Sequence, residues 1–141
     1  MEDKNQPPAS EIDKKTEKIK QQTQEFVDDT QEMAEMGFFE SGHRRPLEEA
    51  YTDDNTIVFS DLHPETRKSV LGGIGEVLGV DLNDLSKNKV VRKYKEDGVE
   101  GAASAMGAEV LVFNTKIEGF ELHVMEYKNP EVDTRYDLVM V

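Results

Sequence analysis

Phe120-Glu121-Leu122-His123-Val124-Met125-Glu126-Tyr127 alternates two sets of side chains. In an extended chain Phe120, Leu122, Val124 and Glu126 share one face, and Glu121, His123, Met125 and Tyr127 share the other. A period of two predicts a strand with one apolar and one mixed face. Residues 109–114 before it and 135–141 after it are also rich in β-branched, aliphatic and aromatic residues. Glu118-Gly119 and Asn129-Pro130 supply turn chemistry between the three. The last third of the chain therefore predicts an antiparallel meander.

Upstream the period changes. Val70, Leu71, Ile74, Val77 and Leu78 follow helical spacing, behind Pro64 at a first-turn position with Asp61 or His63 before it. Gly72, Gly73 and Gly75 interrupt that face, which means either close approach of another backbone or a weak helix, and Gly79 ends it. A helical turn is expected over residues 47–51 and a short strand at Thr56-Ile57-Val58-Phe59. Val90, Val91 and Tyr94 fit helix or strand equally, and residues 98–107 are rich in small residues. Helices first and strands last predict an α+β protein: an N-terminal amphipathic helix, central helices and a C-terminal three- to four-stranded antiparallel sheet.

The N-terminal helix carries a narrow stripe. Ile12, Ile19, Phe26 and Met33 recur every seven residues, with Thr16, Thr23 and Thr30 three positions before the last three. Such a ridge needs a surface to cover it, its own body or another chain. A parallel homodimer would oppose Lys15 to Lys20 and stack threonine at every a position, so it is under-specified. The expected organisation is a disordered tail at 1–10, a helix at 11–37 capped by Ser10 and stopped by Gly37, and a compact α+β domain at 38–141.

Charge points the same way. The net charge is −13, and residues 21–40 hold Glu25, Asp28, Asp29, Glu32, Glu35 and Glu40 with no Lys or Arg. An acidic helix end opposes the macrodipole. It repels nucleic acid and anionic membrane, so neither is expected as a direct ligand. The expected function is that of a non-enzymatic, cytoplasmic module that binds a protein with a basic or apolar groove, with homo-oligomerisation as a further arrangement. Ile12, Ile19, Phe26 and Met33 would be the anchors, and Asp28, Asp29, Glu32 and Glu35 the charged contacts. An acidic DNA-mimic inhibitor is an alternative.

The sequence has no cysteine and no run of membrane-spanning length, and its polar first ten residues are not expected to act as a signal peptide. His43, His63 and His123 are scattered, so no metal or cofactor is expected, and His43-Arg44-Arg45 is the one compact basic spot. Glu126-Tyr127-Lys128 resembles the E-x-K end of the PD-(D/E)xK nucleases. That resemblance covers residues 107–129 and implies a metal-dependent nuclease. Glu109 would stand at the family's aspartate, Lys128 would orient water, and Glu76 would be a helical acid. The eight residues from Glu96 to Ala103 are similar to the hinge of serpin reactive loops, which implies a loop able to insert into a sheet.

Overall fold

The computed structural model describes residues 9–51, 61–96 and 107–141, with side chains from residue 12 onward. Most of the expected tail, the strand at Thr56-Ile57-Val58-Phe59, most of the small-residue stretch and most of the serpin-like hinge lie outside the described residues; Ala9 and Ser10, expected in the tail, belong to a helix. In chain order the elements are helix α1 (Ala9–Glu35), strand β1 (Arg44–Pro46), a 3₁₀ turn (Leu47–Tyr51) and helix α2 (Pro64–Leu78). A second 3₁₀ turn (Leu85–Lys87) and strands β2 (Val90–Glu96), β3 (Ala108–Asn114), β4 (Phe120–Tyr127) and β5 (Arg135–Met140) follow. The class is α+β. No helix among the described residues is long and apolar enough to cross a membrane.

The sheet has five strands, not three or four, in the order β1-β5-β4-β3-β2, and every pairing is antiparallel. The added strands are the two edges. β2 settles residues 90–96 as strand; its charged, mostly exposed side chains leave no period-two apolar pattern to find. β1 is Arg-Arg-Pro and has no strand propensity of its own. Tertiary pairing makes it: the Gly42 N–H donates to the Met140 carbonyl, and the Met140 N–H donates to the His43 carbonyl.

One face of the sheet carries the main core. Leu111, Phe113, Leu122, Val124, Tyr136 and Leu138 meet Val70, Leu71, Ile74 and Leu78 of α2, Leu47 and Tyr51 of the first 3₁₀ turn, and Ile19, Phe26 and Val27 of α1. The middle of the heptad ridge is therefore covered by this chain's own body. Ile19 and Phe26 are 3% and 5% exposed, and Thr23 and Thr30 are fully buried. Each a-position threonine satisfies its hydroxyl locally by donating to the carbonyl four residues back: Thr16 to Ile12, Thr23 to Ile19, Thr30 to Phe26. Because Thr23 has given its proton to Ile19, the Tyr51 hydroxyl must be the donor in the 2.6 Å Tyr51–Thr23 bond. Burial pushes the Tyr51 phenol up to about 12.

The glycines of α2 mark close approach. A Cβ at Gly73 would lie 2.9 Å from Lys20 Cγ and 3.3 Å from Thr16 Cγ2, so this is where α1 crosses; at Gly75 the Val80 carbonyl occupies the space. Gly37, His63 and Gly79 serve as the expected helix ends, whereas Ser10, the expected cap of the first helix, lies within α1. Gly37, in the left-handed region, closes α1 with Phe38 N–H to Met33 and Gly37 N–H to Ala34, a Schellman pair. His63 Nδ1 accepts from the Glu65 N–H ahead of α2, and left-handed Gly79 ends it.

Since α1 fills the core, Phe26→Ala should cost about 3–5 kcal/mol in urea unfolding. Removing residues 1–37 should abolish the cooperative transition. A truncated chain that keeps its far-UV spectrum and its midpoint would show that α1 is dispensable.

Candidate functional site

The other sheet face holds a smaller core of Ala108, Val110, Val112 and Met125, flanked by Tyr94 and Tyr127. Among the described residues, the buried apolar side chains of α1 and α2 all belong to the first core. Long polar side chains from the two edges reach over this second face instead. Arg44 of β1 donates through Nη1 to both Glu96 carboxylate oxygens of β2, at 3.1 and 2.9 Å, and through Nη2 to the Tyr94 hydroxyl at 3.1 Å. Its Nη1 also lies 3.8 Å from Met125 Sδ in the middle strand. Four strand intervals separate β1 from β2, about 19 Å in a flat sheet. The contact therefore requires the sheet to coil around this face, as twisted antiparallel sheets do.

The donor inventory orients the network. Arg44 only donates, so the Tyr94 oxygen accepts from it; burial favours a neutral His123 ring, and the nearby Glu121 carboxylate draws the ring proton to Nε2, which leaves Nδ1 to accept the Tyr94 proton at 3.2 Å. His123 is then a neutral ring with its proton on Nε2. That atom faces Glu121 Oε1 at 3.6 Å, too long for a hydrogen bond. Arg92 Nη2 stands 3.9 Å from the same Glu121 oxygen. On the neighbouring strand Asp137, paired in register with His123, accepts from Arg135 Nε at 2.9 Å. His123 Nε2 and Asp137 Oδ2 are buried without a hydrogen-bond partner among the described residues. The His123 pKa is lowered, with burial the largest cause; the Glu121 carboxylate pulls it back up and Arg44 pushes it down. Chemically this is a buried proton-accepting group wired to a phenol and beside a carboxylate. No cluster of three or more His, Asp or Glu residues with metal-binding geometry occurs among the described residues.

On α1 the expected contact residues divide. Ile19 and Phe26 are in the core, while Ile12 and Met33 are half-buried. Asp29 is held by Arg45 Nη1 at 2.8 Å; Arg45 also reaches Thr30 and Glu49 and stacks 4.4 Å over the Phe26 ring. Asp28, Glu32 and Glu35 stay exposed. Beside them, Met36 and Phe38 are each 64% exposed.

The basic spot at residues 43–45 is split by strand alternation: Arg44 serves the second face, Arg45 turns to α1, and His43 packs edge-on against Phe39 at 4.5 Å. The register sets Glu109 opposite Glu126, and both line a cavity of about 310 Å³ with Lys128. Glu109 is bound by Lys93 at 2.6 Å. Glu76, the third acid of the nuclease pattern, is instead on α2 and tied to Lys20 at 2.8 Å. Of the Arg44, Tyr94, Glu96, His123 and Asp137 cluster, the linear chain signals only Arg44, through the basic spot, and His123, through the alternation in β4, because the grouping depends on the register of β1 and β2.

Arg44→Ala should destabilise the protein by about 1–3 kcal/mol through lost charge-assisted bonds and lost cover over Met125. Arg44→Met should recover the part due to packing. Equal urea midpoints for Arg44→Ala and the parent would mean that the bridge across the sheet is idle.

Set beside family models, curated proteins and solved structures, the chain matches none, and its functional reading rests on the geometry above.

Proposed function

We propose that this chain is a small non-enzymatic protein-binding module that docks a basic partner on the outer face of the C-terminal half of α1. One observation carries the proposal. Asp28, Glu32 and Met36 follow one another at i, i+4 spacing on the exposed side, with Glu35 and Phe38 beside them, so carboxylates and exposed apolar side chains form one surface. The electrostatics add a physical reason. The last turn of α1 holds no basic residue, and Glu32 and Glu35 sit where the helix macrodipole is already negative. A cationic partner would relieve that repulsion, and Met36 and Phe38 would supply the apolar contact. Ile19 and Phe26 shape this surface from beneath by holding α1 on the core. Asp29 is already neutralised by Arg45, so it contributes less than its neighbours.

The proposal makes two effects run in opposite directions. Glu32→Gln together with Glu35→Gln should stabilise the folded chain by about 0.3–1 kcal/mol per site, while weakening capture of a partner from native lysate. Met36→Ser with Phe38→Ser should lose the same partner without changing the urea midpoint by more than about 0.5 kcal/mol. Capture should fall as salt rises. Identical capture by the parent and both variants would overturn the assignment. Light scattering on the purified chain separates a foreign partner from a second copy.

A further inference from the structure

We propose that His123 is the trigger of a proton-operated latch: with a neutral ring the polar bridge across the second sheet face is closed, and protonation at Nδ1 releases it. The inference is independent of the docking surface on α1, which lies on the other side of the sheet.

With the ring neutral and its proton on Nε2, toward Glu121, the hydrogen-bond chain has one sense. Arg44 Nη2 donates to the Tyr94 oxygen, and the Tyr94 proton goes to His123 Nδ1. That last bond needs a lone pair on Nδ1. A proton arriving there fills the lone pair, leaves the Tyr94 hydrogen without its acceptor, and turns Nδ1 into a second donor aimed at the phenol oxygen already taken by Arg44. Two cations then converge on one hydroxyl, and the member that can leave is Arg44, which sits on a three-residue edge strand. Its departure also removes the two bonds to Glu96 that tie β1 to β2.

The charges around the ring set the direction. β1 contributes Arg44. β2 contributes Arg92 and Tyr94, with Glu96 on the far side of Arg44. β4 contributes Glu121, and β5 contributes Asp137 and Arg135, with Glu48 of the first 3₁₀ turn close enough to feel both of those. β3 presents Val110 and Val112 and no titratable group. Glu121 favours an imidazolium but is shared with Arg92, while Asp137, in register with His123, has one oxygen held by Arg135. Burial and the two arginines oppose it, and the His123 pKa lies below its ordinary 6.5. The closed state thus binds the proton less readily than an opened one. Closure is fully favoured above about pH 6.5 and is lost as pH falls through and below that value. Opening uncovers Val110, Val112 and Met125, which are 0%, 0% and 4% exposed when closed.

The test is amide hydrogen exchange on the full chain at pH 7.5 and pH 5, corrected for intrinsic rates, with a histidine NMR titration alongside. The latch predicts that β1 and β2 amides lose at least about tenfold protection relative to β3 and β4 on acidification, with a His123 midpoint below 6.5. His123→Gln should remove this step. Should that variant fail to fold, Tyr94→Phe carries the test. It keeps the ring, removes the proton given to Nδ1, and should raise the His123 midpoint while weakening β1 protection at pH 7.5. Unchanged β1 and β2 exchange between the two pH values would overturn the latch. So would the same step in a folded His123→Gln variant, or a Tyr94→Phe variant with an unmoved midpoint.

Discussion

The crossing of α1 over α2 is the contact on which the rest of the molecule depends. It is made where Gly73 lets the Thr16 and Lys20 side chains come down onto the α2 backbone, and it seats Ile19, Phe26 and Val27 against Val70, Ile74 and the sheet. Without that seat the upper face of a five-stranded sheet would be covered by a single 15-residue helix and one 3₁₀ turn. Threonine suits the seam for a simple reason. Each hydroxyl is satisfied inside α1, so its methyl group is free to pack, and Thr23 additionally accepts from the otherwise stranded Tyr51 phenol.

The two sheet faces solve the same burial problem in different ways. The upper face uses helices. The lower face uses reach: Arg44, Tyr94 and Glu96 extend from opposite edges over a strip of valines, their aliphatic or aromatic parts against the strip and their polar ends bonded to one another. Such a cover is thin, and its integrity depends on the protonation and pairing of a few groups. The upper face is built mainly from aliphatic and aromatic packing.

Much of this architecture can be read in the linear chain. The alternation from Phe120 to Tyr127 predicts both its faces, and each proves to line its own core. The 3₁₀ turn at residues 47–51, the caps at His63 and Gly79 and the stop at Gly37 also follow from local chemistry. The edges do not. β1 exists because β5 offers it a ladder, and β2 is too exposed and charged to show a pattern. The heptad of α1 is a faithful signal of burial, yet periodicity says nothing about whose surface does the burying; only the glycines of α2, ambiguous in the sequence, point to an intramolecular answer. The polar cluster of the lower face is illegible for a related reason. Arg44 and Glu96 are 52 residues apart, and only the coiling of the sheet brings them together.

β1 is three residues long, and its two arginines point opposite ways. Arg45 grips Asp29 and the Phe26 ring above the sheet, while Arg44 grips Glu96 and Tyr94 below it. This short segment is a rivet through both layers. Any force that slides it along β5 is felt at once by the acidic end of α1 and by the far edge strand, so mechanical strain applied to either side of the molecule has a direct route to the other.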